Sequence, residues 1–141
     1  FDFEGLKFVT AHSSVPIMAD ESCWDSKDAL QLVSQRAVDL INIKLMKCGG
    51  LYEAKKITAI AEAAGVEVML GCMAEESGIG VTAAASLGAA LKNITRADLD
   101  ATFSLKELPY EGGFTVKDTR HLILSSDPGL GIKCLKKEML A

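Results

Sequence analysis

No apolar run in this chain approaches the roughly 20 residues needed to span a bilayer, so no segment is expected to cross a membrane. Basic clusters interleaved with aromatics are missing, and a net charge of -4 leaves no electrostatic footprint for nucleic acid. The opening Phe1-Asp2-Phe3-Glu4 lacks the charged-then-apolar layout of a secretion signal, and no initiator methionine precedes it. The cysteines Cys23, Cys48, Cys72 and Cys134 form no CxxC pair of the kind that chelates zinc. Free thiols in a reducing, cytoplasmic setting are the expectation. Repeats, low-complexity stretches and linkers are absent too, which leaves one continuous module over residues 1–141.

What the chain does contain is a rhythm. Hydrophobic residues at 49 % and charged residues at 24 % suit a globular domain. Helical spacing of Leu6, Phe8 and Val9 suggests a helix already under way at the first residues. Short apolar runs over 15–19, 40–43 and 66–70 read as strands. Between them come a helix from Ser26, as N-cap, to about Ala37, and another over 52–64 closed by Gly65. A small-residue helix spans about Gly80 to Lys92, and Ala97-Asp98-Leu99-Asp100 reads as a fourth strand end. Strands alternating with helices imply a parallel sheet. Past residue 100 the pattern changes to a hairpin of 114–116 with 122–124, between turns at 111–113 and 127–129.

Chemistry-bearing residues follow the strands: Asp20-Glu21, Lys44, Gly71-Cys72 and Asp98-Leu99-Asp100. That placement is the signature of a (β/α) barrel wall, whose reactive side chains gather at the C-terminal ends of its strands. A closed barrel takes roughly 250 residues, so 141 residues correspond to about half of one. The expected fold is therefore α/β, the C-terminal half of a TIM-type barrel with parallel strands, ending in a small β-hairpin extension.

Asp20 is the hard oxygen donor that Mg2+ prefers, or else an acidic cap for the next helix. Lys44 projects above the sheet, where a partly desolvated lysine near a cation has a lowered pKa and can act as a general base, or else it reaches solvent from the strand end. Lys47 reads as a solvated strand-end lysine. Asp98 and Asp100 share a face in extended backbone and repel each other unless a metal or a ligand ammonium sits between them; taken alone, a solvated acidic turn is the better reading. Glu75 and Glu76 read first as caps for the following helix, with ligand contact as the alternative. His12 and His121 read as structural, and Trp24 as either a loop cover or a core residue. Gly129-Leu130-Gly131 lacks the strand-to-helix setting of a phosphate loop.

Taken in order, Pro16-Ile17-Met18-Ala19-Asp20-Glu21-Ser22, Ile41-Asn42-Ile43-Lys44-Leu45-Met46-Lys47 and Asp98-Leu99-Asp100 resemble the enolase superfamily. Within its muconate-lactonizing subgroup they are most similar to the dipeptide epimerases typified by L-Ala-D/L-Glu epimerase. Pro128-Gly129-Leu130-Gly131 is similar to the family's C-terminal return. The resemblance implies that Asp20 is the last of three acidic Mg2+ ligands on successive strands, with Glu21 the carboxylate behind it. It implies that Lys44 is one of two acid/base catalysts facing each other across the substrate α-carbon, and that Asp98 and Asp100 bind the ammonium of a small-molecule dipeptide. The implied reaction is Mg2+-dependent epimerisation by proton abstraction α to a carboxylate through an ene-diolate.

In the family's layout the capping domain, the opposing base and the first two metal ligands fall before Phe1, so the chain is expected to be incomplete for activity by itself. The stretch Met73-Ala74-Glu75-Glu76-Ser77-Gly78 is one residue longer than the family's usual one, which leaves the roles of Glu75 and Glu76 open. Two rival readings stand beside the first. One is another subgroup enzyme, a cycloisomerase or o-succinylbenzoate synthase, although an acidic pair would repel a dicarboxylate substrate. The other is a non-catalytic half-barrel that forms a homo-oligomer through its unpaired strand edge.

Overall fold

The structure is a computed structural model that describes residues 2–136. Helix α1 (Phe3–His12) starts at a cap, with the Asp2 carboxylate accepting from the Gly5 N–H at 2.8 Å. The next strand, β1, holds only Met18–Ala19 of the expected 15–19 run. It is short because the backbone just ahead of it bonds elsewhere: the Ile17 N–H donates to the Asp39 side chain at 2.7 Å.

Helix α2 (Ser26–Ser34) is capped by Asp25, not by Ser26: the Asp25 carboxylate accepts from the N–H groups of Lys27 and Asp28. Asp25 lies in extended backbone, as an N-cap must, and its fixed charge favours the positive end of the helix. Strand β2 (Leu40–Ile43) is buried along its whole length, as a parallel strand covered on both faces should be. A single turn, α3 (Leu45–Cys48), then ends at Gly49 in the left-handed region, φ 85°, a conformation in which glycine has no Cβ penalty. Helix α4 (Leu51–Ala63) leads to β3 (Glu67–Leu70), and α5 (Gly78–Ala90), capped by Ser77, leads to β4 (Ile94–Ala97).

The four strands pair in the order β1-β2-β3-β4, all parallel. Helices α2, α4 and α5 cover one side, and Leu32, Ile41, Ile43, Ile57, Val68, Leu70 and Val81 fill the core between layers. Gly88 lets α5 lie close to the sheet, since a Cβ there would stand 3.0 Å from Leu70 Cδ1. This is an open half of a barrel wall.

Beyond β4 a 3-10 turn (Ala101–Ser104) precedes two antiparallel pairs. The expected hairpin is β6 (Phe114–Lys117) with β7 (His121–Leu124). The residues taken for a turn at 111–113 instead contribute to β5 (Tyr110–Gly112), which pairs with β8 (Ile132–Leu135). Gly112 is required there, because any side chain would collide with the Gly131 carbonyl. All four cysteines are free thiols, and no helix of the described residues is long and apolar enough to cross a membrane.

Candidate active site

Because the strands are parallel, Asp20, Lys44, Gly71 and Asp98, each the first residue after its strand, leave the sheet at the same C-terminal edge. The edge is stitched by backbone bonds, with the Gly71 N–H donating to the Ile43 carbonyl and the Asp98 N–H to the Leu70 carbonyl, both at 2.8 Å. Gly71 is also needed for room: a Cβ would come within 2.7 Å of the Asn42 carboxamide.

Asp20, Glu21 and Lys44 form one ionic cluster. Lys44 Nζ lies 2.8 Å from Asp20 Oδ2 and 3.4 Å from Glu21 Oε1. Partial burial alone would favour the protonated acid at Asp20, but hydrogen bonds from Lys44 and Lys47 outweigh it and hold the carboxyl below its ordinary value. The hydrogen bond to Asp20 raises Lys44 above the ordinary lysine value. The group beside Lys44 here is a carboxylate, which stabilises the ammonium, whereas the expected lowering belongs to a lysine with a cation alongside.

Lys47 is the residue that sequence reasoning missed. Far from reaching solvent, its side chain is 2 % exposed and donates to Asp20 Oδ1 at 2.7 Å, to the Asp20 backbone carbonyl and to the Asn42 carbonyl at 3.1 Å. The signal was its spacing: three residues after Lys44 within a single helical turn, it returns to the same strand end. Asn42 is buried as well, and its side-chain oxygen has no partner among the described residues.

Two strands along the edge, Asp98 and Asp100 are both exposed while Leu99 between them is buried; Asp100 has left the extended region expected of the pair, at φ -91° and ψ -6° where the 3-10 turn begins. The Cys72 thiol lies 3.4 Å from the Asp98 carbonyl oxygen and 3.6 Å from Asp100 Oδ1. A cavity of about 610 Å³ beside β4 is lined by the acid pair together with Leu70, Gly88, Phe103 and His121, and does not include the Asp20 cluster. Glu76 is buried and accepts from the Met73 N–H at 3.0 Å, whereas Glu75 is exposed at φ 58°. Trp24 is a loop residue and not part of the core, 48 % exposed, with its indole N–H donating to the Glu21 carbonyl. His12 stacks on Phe8, and His121 sits in β7.

Among the described residues no group of three or more His, Cys, Asp or Glu side chains is placed to hold a metal ion. Asp20 nevertheless fits Mg2+ as a single ligand: it is a hard oxygen donor, and its Oδ2 already accepts a cation, the Lys44 ammonium. One carboxylate does not complete an octahedral site.

Residues 1–138 match the family model described as enolase C-terminal domain-like. The chain belongs to that family. It is 60 % identical over 131 residues to the hydrophobic dipeptide epimerase of Enterococcus faecalis, covering 93 % of this chain and 37 % of that protein. It is 48 % identical over 131 residues to the L-Ala-D/L-Glu epimerase of Bacillus subtilis, covering 93 % of this chain and 35 % of the relative. The crystal structure of the Enterococcus faecalis V583 dipeptide epimerase complexed with Mg and the dipeptide L-Leu-L-Tyr superimposes with a TM-score of 0.90 at 59 % identity, over 94 % of this chain and 38 % of that one. The chain thus spans little more than a third of the length of these relatives. Within this family, an open four-stranded parallel wall is the C-terminal half of a TIM-type barrel.

Proposed function

We propose that this chain is the C-terminal part of the barrel domain of a dipeptide epimerase, and that residues 1–141 supply one half of its active site. In this reading Lys44 moves a proton on one face of the substrate α-carbon, Asp98 and Asp100 hold the ammonium terminus, Asp20 is one ligand of a Mg2+ ion, and Glu21 braces the cluster from behind. The remaining metal ligands and the opposing base belong to the rest of the protein. Bound Mg2+ would supply the positive charge that an α-proton beside a carboxylate needs if it is to leave at neutral pH. Four unpaired thiols favour a cytoplasmic setting.

The observation that carries this reading is the placement of an amine and an acid pair at the same C-terminal edge of one parallel sheet. Lys44 and Asp98 follow strands two apart in the sheet, about 10 Å at the usual strand spacing. In its ammonium form Lys44 would return a proton to the α-carbon, and in its amine form it would remove one. Inversion requires a second base on the other face, so a lone Lys44 can exchange the proton but cannot complete the epimerisation.

The test uses the full-length enzyme with L-Ala-L-Glu, a hydrophobic dipeptide, their N-acetyl derivatives and a dicarboxylate of the kind a cycloisomerase would take. Asp98→Asn and Asp100→Asn are expected to raise KM for free dipeptides by about 10- to 100-fold, the worth of a charge-assisted hydrogen bond. Acetylation should cost the wild type a similar factor. Equal turnover of free and acetylated dipeptides, or preference for the dicarboxylate, would overturn the assignment.

A further inference from the structure

Lys47 has no role in the reaction as proposed, yet it is more deeply buried than Lys44, with 2 % of its side chain exposed against 15 %. An ammonium carries three donors and no acceptor. Lys47 spends all three, on Asp20 Oδ1, the Asp20 backbone carbonyl and the Asn42 carbonyl. It has no proton free to offer a substrate, so it is not an acid or base of the reaction. A buried charge persists where it is paired and fully hydrogen-bonded, and this one grips a single residue at two points. Holding both the main chain and the carboxylate of Asp20, Lys47 fixes that side chain's rotamer. Oδ1 is committed inward, and Oδ2 is left facing the more accessible side, where Lys44 sits at 2.8 Å.

We propose that Lys47 is a positioning residue that locks Asp20 with Oδ2 aimed at the mouth, and so sets how tightly the whole enzyme holds its divalent cation. This inference rests on the reading of Asp20 as a metal ligand. Two simpler roles make different forecasts. As a mere neighbouring charge, Lys47 would repel a cation, and its removal would tighten binding. As a mere structural plug, its loss would lower the melting temperature and leave cation affinity untouched.

The experiment titrates full-length enzyme with Mn2+, reading the free ion by electron paramagnetic resonance without turnover, for wild type, Lys47→Met and Lys47→Arg. Lys47→Met is expected to weaken Mn2+ binding by about 10- to 100-fold, as loss of a group that orients a metal ligand does. Lys47→Arg, which keeps the charge but not the three bonds from one nitrogen, should recover only part of it. If Lys47→Met does not fold, Lys47→Gln, which retains a donor for Asp20 but not the full grip, carries the same forecast. Unchanged or tighter binding in the folded variant overturns the proposal alone. Wild-type enzyme that turns over dipeptides without binding Mn2+ overturns the metal-ligand reading and the proposal with it.

Discussion

Asp20 is the residue on which most of the site converges, and its pairing makes the cluster pH-sensitive in a definite direction. Its folded-state carboxyl lies below the ordinary value of 3.8, so the stabilisation from its lysines is complete above that value and is lost as pH falls through the lower folded value. Asp20→Asn should cost about 3 kcal/mol at pH 7, because the buried Lys47 ammonium loses its counter-charge. Thermal unfolding between pH 7 and 2.5 should show the wild type losing this advantage at the acid end while the variant does not; parallel curves would contradict the pairing. Lys44 and Asp98 were legible as strand-end residues, Lys44 because it directly follows a mostly apolar run and Asp98 because it stands in an Asp-Leu-Asp pattern with Asp100. Lys47 was not, since its burial depends on where a four-residue turn aims a side chain that composition alone assigns to solvent.

At the scale of elements, the cap of α2 and the contact between α2 and α4 hold the loop that follows β1. Asp25→Ala removes a carboxylate that accepts from two N–H groups and should lower stability by about 1 kcal/mol in chemical denaturation. Glu53 on α4 pins the start of α2 by accepting from the Ser26 N–H at 2.8 Å. Hydrogen bonds from Lys56 and Ser26 hold its carboxyl down to about 2. That pin is therefore complete above the unfolded value of 4.5 and fails only as pH approaches 2. Glu53→Gln should flatten the melting-temperature profile across that window, and an unaltered profile would show that the contact contributes nothing. Strand β2 was legible residue for residue, because three aliphatic residues in four, bounded by Asp39 and Lys44, suit a strand buried on both faces. The β5–β8 pair escaped notice because its partners lie about twenty residues apart and meet through Gly112 and Gly131, glycines that read locally as turns. Ser26 was mistaken for the cap because serine and aspartate are about equally suited to that position.

On the scale of the whole molecule, β1 and β4 each have one strand neighbour among the described residues, and Phe8, Val15 and Phe103 are exposed. Unpaired parallel edges of this kind recruit other strands. Residues 1–141 expressed alone should sediment as associated species, whereas a monodisperse folded monomer would contradict the half-barrel architecture. The alternating order of strands and helices was enough to foresee a barrel wall, and the resemblance of three ordered motifs foresaw the family. Neither could foresee that Lys44 and Lys47 both bond the Asp20 carboxylate, which the geometry shows. The role proposed for Lys44, moving the substrate α-proton, is read out by exchange of that proton in D2O, followed by NMR on the full-length enzyme with L-Ala-L-Glu. Lys44→Met is expected to lower exchange from the face Lys44 serves by at least about 100-fold while dipeptide binding persists; exchange at the wild-type rate on both faces would contradict it.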